Sequence, residues 1–223
     1  MSSTTGRVKR HCQYFTTDAL ADVLVGTLGI QPFESVLEPH VGGGAFVEAV
    51  RKRGVPYHRI QGCEIDPDLA INTERVRGIV VNAGDFLDLR REDFSPDLAG
   101  GWDWIIGNPP YSRGTGRFNA KGEEIQEPCA ELHIRHALSL LAPGGHLAFL
   151  LRLAMLETSD RIGFWKEHPA KFLYVLAQRP SFTDGGTDSS AYGWFIWERG
   201  WKPERSCSIV GDVRLLDWRA ERC

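Results

Sequence analysis

Asn108-Pro109-Pro110-Tyr111 follows a short apolar run, Trp104-Ile105-Ile106, that reads as a buried strand. Neither proline has a backbone N–H, and each pushes the residue before it out of the helical region. The chain must therefore leave the strand as a stiff, extended loop. Such a loop fixes the Asn108 amide and the Pro109 carbonyl as two acceptors near the strand's carboxyl end, with the Tyr111 ring beside them. Two convergent acceptors suit the hydrogens of an NH₂ group, and a flat ring suits a planar base. Alone, the tetrapeptide also reads as a proline-rich turn with Asn as a turn former.

Three more groups have types and spacing suited to binding. Glu38 ends an apolar run, Ser35-Val36-Leu37, and leads through Pro39-His40-Val41 into Gly42-Gly43-Gly44 and a helical pattern. A strand, a glycine loop and a helix in that order form a nucleotide-binding turn, because glycine lets the backbone approach a ligand closely. Glu64 lies about 20 residues further on, where an acidic side chain receives ribose hydroxyls in folds of this kind. Asp85 follows a third apolar run; it can accept from an adenine amino group while Phe86 lines the ring.

The elements that must position these groups follow from periodicity and punctuation. Leu20, Val23, Leu24 and Leu28 recur at helical spacing after Thr16-Thr17, either of which can cap the helix, and Gly29 and Pro32 end it. Strands are predicted over 35–38, 59–65, 78–83, 104–106, 146–151, 171–176 and 191–197. Helices are predicted from Ala45 to about Arg53, from Asp66-Pro67, across Ile134, Ala137, Leu138 and Leu141, and over 159–168. The short gap between the sixth and seventh strands fits an antiparallel hairpin, and residues 207–210 form a possible edge element. Residues 112–128 carry glycines and charges with almost no apolar pattern, so a mobile lid or binding loop is expected there.

Composition narrows the function classes. At 223 residues, one domain spanning 1–223 is expected, with residues 1–12 as a flexible arm. The net charge of −3 argues against a globally basic nucleic-acid binder but leaves room for a local basic face. No apolar run is long enough to span a membrane, and the first residues lack a signal-peptide core, so a cytoplasmic location is expected. The five cysteines are scattered and odd in number, without zinc-ligand spacing, so they read as reduced structural thiols, and no metal is expected.

The ordered set resembles the class I methyltransferases that use S-adenosylmethionine, and more narrowly the phage-type adenine-N6 DNA methyltransferases. Phe15-Thr16-Thr17 resembles their N-terminal cofactor motif, and Glu38-Pro39-His40-Val41-Gly42-Gly43-Gly44-Ala45-Phe46 resembles their Glu-Pro-x-x-Gly-x-Gly-x-Phe loop. Glu64-Ile65-Asp66, Gly84-Asp85-Phe86 and Asn108-Pro109-Pro110-Tyr111 follow in the family's order, and Arg179-Pro180-Ser181-Phe182 resembles a late segment. The likeness covers roughly residues 12 to 200.

That resemblance implies an α/β Rossmann-like fold: a mostly parallel seven-stranded sheet with strand 7 antiparallel and helices on both faces. It implies S-adenosylmethionine as cofactor, held by Phe15, Thr16, Glu38, Pro39, Gly42, Gly44, Glu64, Ile65, Asp85, Phe86 and Asn108. It implies methyl transfer to an amino group at Asn108, Pro109, Pro110 and Tyr111, with Phe182 covering the second face of the base. His40 and Gly43 fall at variable positions of the loop and receive no role. The implied partner is nucleic acid, with DNA placed ahead of RNA. Other amino-methylations remain open: cytosine N4, a release-factor glutamine, or RNA adenine. So does a non-catalytic nucleic-acid-binding subunit. Unlike sequence-specific members, the chain has no stretch resembling a separate target-recognition domain.

Overall fold

The computed structural model describes residues 15–94, 100–118, 124–157, 159–180, 189–204 and 209–219, with 113–118 and 124–128 described by their backbone. Among these the elements run α1 (Asp18–Gly26), β1 (Val36–Glu38), α2 (Ala45–Arg51), β2 (Ile60–Glu64), α3 (Pro67–Arg77), β3 (Val80–Ala83), β4 (Trp102–Gly107), β5 (Ser112–Phe118), β6 (Glu124–Pro128), α4 (Ala130–Leu140), β7 (Leu141–Arg152), α5 (Ile162–Glu167), β8 (Ala170–Leu176), β9 (Tyr192–Glu198) and β10 (Val210–Leu216).

Eight strands form one sheet, in the order β3-β2-β1-β4-β7-β9-β8-β10. β9 runs antiparallel to both of its neighbours, and every other adjacent pair is parallel. The central strands read as continuous apolar runs because both faces are covered. Along β7, Ala148 and Leu150 face the core under α1, α2 and α3, while Leu147, Phe149 and Leu151 face the core under α4 and α5. β9 divides in the same way, Trp194 stacking on Phe46 on one side and Phe195 and Trp197 on Trp165 on the other.

The expected seven strands are corrected to eight. β10 pairs along the length of β8, from Val210↔Ala170 to Leu216↔Leu176, beyond the brief edge element predicted at 207–210. Its sequence hid it because an edge strand needs little apolar surface. Val213 and Leu215 are largely exposed, and Arg214 lies over the Phe172 and Tyr174 rings, 5.5 and 5.9 Å from their centroids. Residues 112–128, expected as a loop, contain the antiparallel ribbon β5–β6, closed at its base by Ser112↔Pro128. A ribbon outside the main sheet draws its pairing from backbone hydrogen bonds, so the hydrophobic pattern could not announce it. Leu141, read as helical, begins β7 instead.

The topology fixes where a ligand can enter. From β1 the chain steps outward to β2 and β3, then returns to place β4 on the other side of β1. Strand order thus reverses between β1 and β4, and in open α/β sheets ligands bind beyond the carboxyl ends of the strands at such a point. The residues just past those ends are Pro39, Ile65, Gly84 and Asn108.

Candidate active site

Glu38, the last residue of β1, is buried. Helix α2 begins after Gly44 without a side-chain cap of its own, and Glu38 supplies one from the strand: its Oε2 accepts from the Val47 N–H at 3.0 Å. Burial holds the Glu38 carboxyl well above the usual carboxylate range; the Val47 N–H and Arg77 pull against that shift, and Glu64 adds to it. A carboxyl raised in this way favours the protonated folded state. The stability it contributes is complete below its unfolded pKa and is lost as pH rises through its folded pKa. Glu38→Gln keeps an acceptor for Val47 and has no proton to lose. Its melting temperature should exceed that of the wild type by a margin that widens from about pH 5 to about pH 8. A margin that narrows over that range would contradict the assignment.

The glycine loop is pinned on every side. Val41 N–H donates to the Cys63 carbonyl at 2.9 Å, and Gly42 N–H donates to Glu64 Oε2 at 2.9 Å. The Gly42 carbonyl accepts from Thr73 Oγ1 at 2.6 Å, and the Gly43 carbonyl from Arg77 Nε at 3.0 Å. Gly42 and Gly44 take φ values of 48° and 75°, which L side chains rarely adopt. A Cβ on Gly44 would stand 2.8 Å from Arg77 Cγ, and one on Gly42 would stand 3.2 Å from the Phe15 ring. Phe15 therefore lies across the loop. Glu64 braces the loop from β2, its second oxygen accepting from Asp66 N–H at 3.1 Å. Ile65 next to it is exposed. Asp66 caps α3 through Asp68 N–H and Leu69 N–H, with Pro67 in the first turn, as its position in the sequence predicts.

Asp85 and Phe86 follow β3. Asp85 caps a single helical turn through Leu87 N–H at 3.0 Å. Phe86 differs from its expected place at a ligand ring: it is 2% exposed and turned into the core. There it stacks on His133 and meets His40 and His136 edge-on. Cys63 lies close by, donating to the Gly84 carbonyl at 3.3 Å. Burial first, then the Glu64 and Asp85 carboxylates, push its thiol up to about 12, so it stays protonated and unreactive.

At the end of β4 the Asn108 amide is held from both sides. Its Nδ2 donates to Thr16 Oγ1 at 3.3 Å, and its Oδ1 accepts from the Tyr111 hydroxyl at 2.5 Å. The same hydroxyl lies 3.2 Å from the Leu150 carbonyl on β7. Pro109 is buried and Pro110 half-buried. Tyr111 touches both cores, with the Arg152 guanidinium 5.0 Å from its ring centroid. The loop is tied at its far end by Cys129, whose thiol donates to the Pro110 carbonyl at 3.2 Å and whose N–H donates to the Tyr111 carbonyl at 3.2 Å. The ribbon β5–β6 thus leaves and re-enters the fold at this loop.

The structure brings Thr16, Glu38, Gly42, Gly44, Glu64 and Asn108 together around the switch point, with Phe15 over the glycine loop and Asp85 on the adjacent strand end. Phe182 lies outside the described residues. Sequence reasoning passed over His40. Its Nε2 lies 2.9 Å from His133 Nδ1, and its ring packs edge-on against Phe86 and Phe149. The available signal was a histidine set directly after a strand-end Glu-Pro, together with His133 on the buried face of α4. Among the described residues no cluster of His, Cys, Asp or Glu is placed to hold a metal ion, and no helix is long and apolar enough to cross a membrane.

No protein-family model matches the chain, and no curated protein matches it by sequence. Its fold has many counterparts among solved structures. A putative class I S-adenosylmethionine-dependent methyltransferase from Listeria monocytogenes is 20% identical, with a TM-score of 0.65, over 97% of this chain and 70% of that one. A modification subunit of a putative type I restriction enzyme from Vibrio vulnificus is 16% identical, with a TM-score of 0.63, over 86% of this chain and 46% of that one. The M protein of the type I restriction enzyme EcoKI is 18% identical, with a TM-score of 0.64, over 90% and 47%. The chain therefore spans about half the length of the two restriction-enzyme subunits, and the fold it shares with all three is the Rossmann-like one of class I methyltransferases.

Proposed function

We propose that this chain transfers a methyl group from S-adenosylmethionine to the N6 amino group of adenine in DNA. The observation that carries this reading is the Asn108 amide, fixed in orientation by Thr16 and Tyr111 and set across the switch point from a glycine loop. The names of the solved neighbours, a methyltransferase and modification subunits of restriction enzymes, point the same way.

The residues present fit the cofactor. Gly42 and Gly44 offer side-chain-free backbone at the strand end, and the Gly42 and Asp66 amides hold the Glu64 carboxylate in place to receive ribose hydroxyls. Asp85 and the exposed Ile65 would hold the adenine ring. Thr16, Glu38 and Pro39 would border the methionine end. S-adenosylmethionine supplies an electrophilic methyl group on a sulfonium sulfur.

The protein's part is orientation. The amino nitrogen of adenine is a poor nucleophile because its lone pair is delocalised into the ring. Asn108 Oδ1 and the Pro109 carbonyl would accept its two hydrogens and favour a geometry with the lone pair aimed at the methyl. That is positioning plus preorganised electrostatics. Thr16 Oγ1 takes the Asn108 NH₂, which turns the amide oxygen to the side where the Tyr111 hydroxyl donates to it and where the base amino group would have to approach. The target base must be flipped from a duplex or offered in a single strand. Tyr111, and Phe182 by resemblance, would stack on it. Pro110 stiffens the turn between Asn108 and Tyr111, and the ribbon β5–β6, rooted at Tyr111, would meet the nucleic acid.

The test is to digest DNA and RNA from cells expressing the protein and to quantify modified nucleosides by mass spectrometry. N6-methyladenine rising in DNA, and not with an Asn108→Ala variant, is the expected result. A rise confined to RNA, or to N4-methylcytosine, would replace the proposed substrate.

A further inference from the structure

Four polar side chains stand at the switch point between β1 and β4. Three are engaged by the protein: Glu38 by Val47, Glu64 by Gly42 and Asp66, and Asn108 by Thr16 and Tyr111. The fourth is His40, the second residue past β1. One ring nitrogen, Nε2, is used in the 2.9 Å contact with His133 Nδ1. The other, Nδ1, is buried and has no hydrogen-bond partner among the described residues. Buried polar atoms in folded proteins are nearly always satisfied, and an exception asks for a reason. The surroundings supply one. A Cβ built on Gly107 would lie 3.9 Å from this same Nδ1, so the nitrogen looks onto the end of β4, one residue before Asn108. Among the described residues it is the one buried polar atom of these four side chains without a hydrogen-bond partner.

We propose that His40 is a ligand-contact residue of this crevice, its Nδ1 accepting a hydrogen bond from an N–H of the bound ligand, with His133 fixing the tautomer that leaves Nδ1 bare. The inference rests on the methyltransferase reading above. Two imidazole nitrogens in contact share one proton. If His40 donates through Nε2–H to His133 Nδ1, its own Nδ1 carries a bare lone pair. Burial, and secondarily the neighbouring His133, holds His40 well below the usual imidazole range, so the ring stays neutral and keeps that lone pair. Edge-on packing against Phe86 and Phe149 restrains the ring from turning away. The ligand N–H has two possible sources: the α-ammonium of S-adenosylmethionine, or the amino group of the base, one of whose hydrogens His40 would then accept in place of the Pro109 carbonyl.

Nitrogen-15 NMR of the histidine rings in the intact protein separates them. The probes are S-adenosylhomocysteine, which keeps the α-ammonium, and then an adenine-containing oligonucleotide added to that complex. A bare His40 Nδ1 whose resonance moves with S-adenosylhomocysteine assigns the bond to the cofactor; one that moves only with the oligonucleotide assigns it to the base. His40→Phe keeps an aromatic ring and removes both nitrogens. It should weaken the corresponding step by about 10-fold, the size of one net hydrogen bond: S-adenosylhomocysteine affinity by calorimetry in the first case, KM for the oligonucleotide in the second. An Nδ1 that is protonated in the complex, or unmoved by both ligands while each binds, would overturn the inference. Failure of S-adenosylhomocysteine to bind at all would overturn the methyltransferase reading itself, and the inference with it.

Discussion

Asn108→Ala should lower the single-turnover rate of methylation by roughly 10²-fold or more, the loss seen when one preorganised polar group is removed from a transition-state site. The amide oxygen matters most as the amino nitrogen becomes tetrahedral. The loss should therefore fall on kcat more than on KM. Cofactor affinity should change little, because the residues proposed to hold the ribose and adenine, Glu64 and Asp85, lie at the ends of β2 and β3. The geometry adds a refinement. The Tyr111 hydroxyl donates to this oxygen at 2.5 Å, so it orients the amide and also occupies part of its accepting capacity. Tyr111→Phe leaves the ring and removes that contact, and its rate should fall between wild type and Asn108→Ala. Tyr111→Ala removes the stacking surface as well and should raise KM for the oligonucleotide. A folded Asn108→Ala protein with near-normal turnover would remove Asn108 from the chemistry.

What the sequence discloses about this site is its scaffold. Strand ends are legible wherever an apolar run meets a residue that cannot continue it, which is why Glu38, Glu64, Asp85 and Asn108 all fall at carboxyl edges as expected. The cap at Asp66 is legible because capping is local, a side chain reaching two or three residues along. The Glu38 cap on Val47 is not, because it spans nine residues and a glycine loop of irregular geometry. The same limit hides the contacts from Asn108 to Thr16 and from His40 to His133, made across 92 and 93 residues. The burial of Phe86 is hidden for a related reason. Its strand end is visible in the sequence, but the direction of its ring depends on α4, which brings His133 and His136 against it. β10 was undercounted because an exposed edge strand carries little of the apolar alternation by which strands are recognised.

Glu64→Ala should weaken S-adenosylmethionine binding by roughly 100-fold. Two hydrogen bonds from ribose to a charged acceptor contribute about 3 kcal/mol together, which converts to that factor. The structure predicts that Glu64→Gln will be nearly as damaging, which the ribose contacts alone would not require. Both carboxylate oxygens accept from backbone N–H groups, Gly42 at 2.9 Å and Asp66 at 3.1 Å. A glutamine can turn its oxygen toward only one of them, so its NH₂ must face the other donor inside a buried site. Either the glycine loop or the entry to α3 then loses its brace. Glu64→Asp is shorter by one methylene and cannot span both amides. The three variants should therefore cluster in affinity by calorimetry, and all should melt below the wild type, because the Gly42 or Asp66 N–H is left unpaired. If Glu64→Gln bound S-adenosylmethionine as tightly as the wild type, the carboxylate would be neither the brace of the glycine loop nor the ribose acceptor.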